Sequence, residues 1–384
     1  MIPNTMSLVA VLAILAGVQA STCRLTSRST TWTAPSQTAA EAASSSSTSD
    51  VYPDVFETSV TVSTTSSYSD LKDTFLTVST TGSTTTAEPT SSPGVLPRFE
   101  NEGPAFNKAN LKYNPNNEFI FPSVFDASLY FGEAALAKWY LYYAPHDNPG
   151  GISFVYSDNL NGPWIEYQSN PVISRDWPAL GNPRPGHVSS ADAVWNEEEQ
   201  KMYMYFHGDN SVTRWATSED GINFDYGGIA VSNSDAPVTT TESSYARVFR
   251  HPDPDSEYTW AMFYMVNEPN NIRKIRLAES FNGEDWTVAD DYVVSEPGAN
   301  VSGGNLWDWD GQRYVVYHRE PGKIYARTID ETLRDVGTEA VVLFEASERV
   351  AAPYFVTENG TTHMFYELGA RSSTSIAYAT FGRL

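Results

Sequence analysis

The sequence contains six histidines, and four of them, His146, His187, His207 and His318, stand at the ends of aromatic segments or just before a small-residue one. Imidazole titrates near neutral pH, so His187 and His207 are candidate acid/base groups for protonating a leaving oxygen. Asp126 and Asp192, each within a run of small and apolar residues, are the candidate base or orienting carboxylate. Asp147, Tyr245, Arg247, His318 and Glu367 would hold a substrate's hydroxyls or carboxylate by hydrogen bonding. Trp177 lies in the long Pro/Gly-rich loop RDWPALGNPRPGH (175 to 187), where its ring would serve as a stacking platform for a sugar. No spacing signature for a metal is present and no cofactor is expected. With Cys23 the only cysteine, neither an internal disulfide nor a Cys-rich zinc site can form.

These groups act together only if strands carry them to one place, and the chain repeats a strand pattern that would do so. An aromatic segment recurs as KWYLYYAPHD (138 to 147), KMYMYFHGD (201 to 209), TWAMFYMVNE (259 to 268), RYVVYHRE (313 to 320) and THMFYELG (362 to 369). A small-residue strand precedes each copy: PSVFDASLYF (122 to 131), HVSSADAVWN (187 to 196), SSYARVFRH (243 to 251), NVSGGNLWDWDG (300 to 311) and RVAAPYFVTENG (349 to 360). Third strands end in polar turns, Ser218-x-Asp220-Gly221-x-x-Phe224 and Ser280-x-Asn282-Gly283-x-x-Trp286. Gly at the turn supplies positive φ, and the aromatic pins the turn to its sheet. Five repeats of three or four antiparallel strands predict an all-β fold, a five-bladed β-propeller over residues 96 to 384. Ring closure is expected between residues 111 to 121 and the last strand, 375 to 382, because closure removes exposed edges. In such a ring the starts of the inner strands and the ends of the second strands share one face, which collects most of the candidate residues around the axis.

Pro122-Ser123-Val124 on the first inner strand and the SDNLNGPW turn (157 to 164) make this region resemble the five-bladed propeller glycoside hydrolases of the family 43 type. The resemblance implies a secreted enzyme acting on a plant or microbial polysaccharide containing arabinose or xylose. It also implies inverting hydrolysis by two carboxyl groups about 6.5 to 9.5 Å apart. The family's base, orienting Asp and acid fall here on Phe121, Tyr245 and Ser302, none of which exchanges protons as a carboxylic acid does near neutral pH. Nearby carboxylates, Asp126, Asp192, Glu242 and Glu367, are the candidate replacements. A non-catalytic carbohydrate-binding propeller is the alternative that this loss favours. A polysaccharide lyase, using His187, Tyr245 and Arg247 on a uronate, is a third. Two carboxylates facing each other across the central cavity would favour hydrolysis, whereas an Arg/His/Tyr cluster without them would favour binding or lysis.

The remainder of the chain agrees with an exported, carbohydrate-facing protein. Residues 6 to 18, MSLVAVLAILAGV, are too short a run to span a bilayer comfortably and precede an A-x-A-like site at Val18-Gln19-Ala20, so 1 to 20 read as a signal peptide. Residues 21 to 95 contain 37 Ser or Thr and read as a disordered, O-glycosylated stalk, with one or two strands allowed near 51 to 79. Sequons occur at Asn300 and Asn359. A formal net charge of -23 excludes nucleic acid as a partner, since phosphates would be repelled. The expected mature protein is a monomer, free of the membrane, found outside the cell or at its surface.

Overall fold

In the computed structural model, the described residues are 58 to 60, 80 to 82 and 95 to 382. The signal peptide and most of the Ser/Thr-rich segment lie outside them. The chain divides into two units, Met1–Pro89 and Thr90–Leu384. In the first, Thr58–Val60 pairs antiparallel with Thr80–Gly82. The second is a five-bladed propeller of four-stranded antiparallel sheets. No helix among the described residues is long and apolar enough to cross a membrane.

Blade I comprises Ile120–Asp126, Trp139–Ala144, Ser153–Ser157 and Ile165–Glu166, from the axis outward, and blade II comprises Ser189–Asn196, Lys201–Gly208, Val212–Ser218 and Asp225–Ser232. Blade III is Glu242–Arg250, Trp260–Glu268, Ile272–Ser280 and Thr287–Val294; blade IV is Val301–Trp309, Gln312–Arg319, Lys323–Thr328 and Val341–Phe344. Blade V takes Val350–Glu358, Thr361–Leu368 and Ser375–Gly382 from the end of the chain and its outermost strand, Glu100–Pro104, from before blade I. Ring closure therefore uses Glu100–Pro104, in register Ala377↔Pro104 and Tyr378↔Gly103, and not residues 111 to 121. The segment 111 to 119 is irregular, and its Phe119 N–H reaches only the Thr374 carbonyl just outside the strand.

The aromatic second strands are apolar on both faces because each blade is sandwiched between two others. Side chains alternate across a strand. Met202, Met204 and Phe206 therefore pack towards blade I, while Tyr203 and Tyr205 pack towards blade III. The same strands tie down the polar turns of the next blade. Tyr142 Oη donates to the Gly221 carbonyl at 2.6 Å, and Tyr205 Oη donates to the Gly283 carbonyl at 2.6 Å. Gly221 has φ +72°, and a Cβ there would stand 2.6 Å from Tyr142 Oη, so the turn requires glycine on both counts.

Each inner strand breaks its ladder register at an equivalent point: between Ile120 and Ser123, Ser189 and Asp192, Ser244 and Arg247, Ser302 and Asn305, and Ala351 and Tyr354. Within each break one residue is left-handed: Phe121, Ser190, Tyr245, Gly303 and Ala352, at φ of 56, 60, 55, 61 and 47°. Four of the five are not glycine, and φ > 0 is costly for bulky side chains. A bulge that recurs on every blade is thus imposed by the ring, and it aims neighbouring side chains at the axis.

Candidate functional site

The bulge fixes two levels along the channel. Two residues past each left-handed position stand Ser123, Asp192, Arg247, Asn305 and Tyr354. Here Arg247 donates to Asp192 Oδ1 at 2.9 Å and to the Pro122 carbonyl at 2.7 Å, and its guanidinium lies 3.7 Å from the centre of the Phe121 ring. Asp192 Oδ2 accepts from Val248 N–H at 2.7 Å. Burial pushes the Asp192 carboxyl up, against Arg247 and its hydrogen bonds, and pushes Arg247 down, against Asp192. A guanidinium keeps its proton at any working pH, so the pair is ionic. It is also sealed, each side chain being 2% exposed.

The structure departs from the roles expected of four residues, Asp192, Arg247, Asp126 and Trp177. Asp192 and Arg247 are not free for substrate, because each satisfies the other across blades II and III. Asp126 ends its inner strand beside Trp139, the start of the second, and so lies at the opposite end from the candidate face. Its carboxylate caps the helix Ala127–Phe131, accepting from Leu129 N–H at 3.0 Å. Trp177 is not a platform at the axis; its ring packs edge-on against Tyr226 on the outermost strand of blade II.

The mouth of the channel gathers the other candidates. His187 and His207 meet with Nε2 atoms 3.3 Å apart. Burial lowers the His187 pKa and takes that of His207 well below the imidazole value, so both rings are neutral at pH 7. The His207 ring also lies against Tyr245, with centroids 5.3 Å apart. Tyr245 packs on Phe121, and its hydroxyl is 3.0 Å from His146 Nε2. Arg371, which carries only donors, approaches the same nitrogen to 2.6 Å, so His146 Nε2 is an acceptor. Its Nδ1 then holds the proton and donates to Asp147 at 2.8 Å. Burial pushes Tyr245 up to about 12, although Arg371 opposes this, and the phenol stays protonated.

Where blades III, IV and V meet at the mouth, a cleft of about 220 Å³ is lined by Asn271, Arg273, Asn300, Ser302, His318, Glu320 and Arg371. His318 accepts from Ala352 N–H at its Nδ1, and burial, reinforced by Arg349, takes its pKa down to about 3. The ring is therefore neutral with its proton on Nε2, a donor. Asn300 accepts from Arg273 N–H at 2.9 Å, and Ser302 Oγ is buried without a protein partner. Glu367 accepts from Phe121 N–H at 3.2 Å and from Arg349 at 2.9 Å. Burial alone would raise Glu367, but Arg349 and Arg371 bring it below the usual carboxylate range. Among the described residues Glu118, His146 and Asp147 form a group with ligand atoms near enough to hold a metal, but Arg371 already places its cation against Glu118 and His146. A second cleft, of about 290 Å³, lies away from the axis beside the outermost strand of blade III, lined by Leu277, Tyr292, Leu333 and Arg334 among others.

Arg273, Arg371 and Glu118 did not emerge from sequence reasoning. Arg371 and Glu118 lie on loops between strands, outside any repeat. Arg273 follows the second hairpin of blade III, where the neighbouring strands offer no equivalent basic residue to mark it.

No protein-family model matches the sequence and no curated protein sequence matches it. Solved structures do share its architecture. An N-acetylgalactosamine deacetylase from F. plautii aligns with 14% identity and a TM-score of 0.50, over 74% of this chain and 95% of that one. An exo-β-1,3-galactanase from Phanerochaete chrysosporium aligns with 12% identity and a TM-score of 0.50 over 75% of this chain; the alignment spans 64% of that chain. An α-L-arabinofuranosidase from Lactobacillus brevis aligns at 13% identity, TM-score 0.49, over 68% and 90% of the two chains. Five-bladed propeller glycoside hydrolases of families 43 and 32 are among the structural neighbours. At these identities the likeness establishes the fold.

Proposed function

We propose that the protein is a carbohydrate-active propeller of the glycoside hydrolase type, exported from the cell, which takes a neutral glycan in the cleft where blades III, IV and V meet. The cleft itself carries this reading. Two guanidinium groups, two amides, a free hydroxyl and the His318 N–H converge on one small space, a set suited to sugar hydroxyls. Its two cations are balanced, Arg371 by Glu118 and Arg273 by Glu242, which favours a neutral ligand over a uronate and so counts against the lyase reading. Two proteins of similar fold are a deacetylase solved with blood group B trisaccharide and a galactanase solved with β-1,3-galactotriose.

Binding without turnover fits the channel best, because by the motif register Phe121, Tyr245 and Ser302 stand where the resemblance implies a base, an orienting Asp and an acid, and inverting hydrolysis needs a pair of carboxyl groups. Hydrolysis is the second reading. It is favoured by Glu320, a carboxylate lining the same cleft as His318 and Ser302. Titration calorimetry against a panel of arabinan, xylan and galactan oligosaccharides, with reducing-end release and the ultraviolet absorbance of unsaturated uronates followed in parallel, separates these outcomes. Binding with no released ends supports the first reading and released ends the second. Unsaturated products, or no binding to any glycan, would overturn both.

A further inference from the structure

We propose that Asn359 carries an N-linked glycan at the end of the propeller opposite the mouth, and that Asn300 carries none. Both asparagines satisfy the Asn-x-Ser/Thr pattern, as Asn359-Gly360-Thr361 and Asn300-Val301-Ser302. The pattern marks an acceptor only where it lies on the surface, so the fold separates the two. Asn359 and Gly360 are the two-residue loop of the hairpin between Val350–Glu358 and Thr361–Leu368, in which Glu358 pairs with Thr361. Their φ values of 50 and 80° are positive at both central positions, as a type I′ turn requires. Both residues are exposed, and a Cβ placed on Gly360 would meet no atom within 4 Å, so the space around the tip is open.

Asn300 is held in the opposite way. Its side chain accepts from Arg273 N–H at 2.9 Å, and its carbonyl accepts from Glu320 N–H at 3.4 Å. The next two residues enter the ladder opposite Arg319 and His318; Val301 is fully buried, and Ser302 Oγ, the hydroxyl of the sequon, is shut off from solvent. Asn300 also lines the cleft of about 220 Å³, so a sugar on its side chain would fill that cleft or pull the inner strand of blade IV from its sheet.

The end that carries Asn359 also receives the Ser/Thr-rich segment. Thr361 pairs with Gly382 and Glu100 with Thr380, and Trp309 Nε1, at the end of blade IV's inner strand, donates to the Val95 carbonyl at 3.4 Å. Glycans on that segment and on Asn359 would thus cover one end of the ring and leave the mouth open. In the transfer, Asn359 Nδ2 attacks C1 of a lipid diphosphate-linked oligosaccharide. The N–C1 bond forms as the C1–O bond to the diphosphate breaks, the lipid diphosphate leaves, and one amide proton passes to a base of the transferase.

The inference rests on the export proposed above and not on the choice of ligand. The test expresses the full chain in a eukaryotic secretory host, once with its own residues 1 to 20 and once with a host signal peptide in their place. Peptide N-glycosidase in heavy-oxygen water, followed by peptide mass spectrometry, marks each occupied Asn as a heavy Asp. A digest without the enzyme corrects for spontaneous deamidation at Asn359-Gly360. One N-glycan per chain is expected, on Asn359. It should be lost in Thr361→Ala, which keeps the Asn-Gly turn, and retained in Thr361→Ser and in Ser302→Ala, with far-UV circular dichroism checking each variant's fold. An unmodified Asn359 in chains that reach the medium, or a glycan on Asn300 in folded protein, would overturn the proposal. Modification of Asn359 only with the host signal peptide supports it while overturning export by residues 1 to 20, so the two readings fail separately.

Discussion

The middle of the channel is built from the five inner strands, whereas its mouth adds the ends of second strands and the loops beside them, and the two treat charge in opposite ways. In the middle, Asp192 and Arg247 are sealed and satisfied by one another, by Val248 N–H and by the Pro122 carbonyl. At the mouth, imidazoles, guanidinium groups and Ser302 Oγ border a cleft, and some of their polar atoms have no protein partner. The difference separates charges that hold blades together from those available to a ligand. Residue type alone does not, since each level contains Arg and a carboxylate.

Breaking the sealed pair should have the largest effect. Arg247→Met leaves Asp192 buried and uncompensated, and should cost about 3 to 5 kcal/mol in urea unfolding. Adding Asp192→Leu should recover most of it; a double variant no more stable than the single would show that the pair contributes beyond mutual compensation.

The next effect is in acid. His318 holds its pKa near 3 in the fold and protonates near 6.5 when unfolded, so the unfolded chain binds the extra proton between those values and stability falls as pH drops from about 6.5 towards 3. Glu367, lowered in the fold, acts in the same direction below its ordinary value of 4.5. Melting temperature measured from pH 7 to 4 should therefore decline, and the decline should be shallower in His318→Asn. An equally steep decline in that variant would remove His318 from the account.

Smaller still is the change expected in ligand affinity. Arg371→Ala should weaken glycan binding by at least about tenfold, or 1.4 kcal/mol, by calorimetry, while Trp177→Ala stays within about twofold. The reverse order would move the site from the axis to the outer loop. Smallest is Asp126→Ala, which loses a helix cap at about 1 kcal/mol and should leave glycan affinity unchanged.

The propeller was legible because repetition is a one-dimensional signal. Five aromatic strands with small-residue strands before them suffice to count blades, and the Asp220-Gly221 and Asn282-Gly283 turns mark their tips. The closing strand was not legible. Glu100–Pro104 is short and polar and carries no alternation, whereas 111 to 121 ends in a more strand-like run that in fact enters the first inner strand. At the site, the sequence named His187, His207, Tyr245 and His318, which the structure gathers at the mouth of the channel. The pairing of Asp192 with Arg247 could not be read there, because 55 residues separate them along the chain.

Sequence by itself determined the number of blades, the all-β class and the turns that end the third strands of blades II and III. These follow from periodicity and residue type, which are local. Only the tertiary structure decided which polar residues are spent on one another and which face a cleft. It placed Asp126 at the far end, sealed Arg247, and set His187 beside His207 and Arg371 beside His146. The contacts of Arg247 and Arg371 depend on packing the blades together, when side chains from different blades first come within hydrogen-bonding distance, whereas His187 meets His207 across one strand pair of blade II.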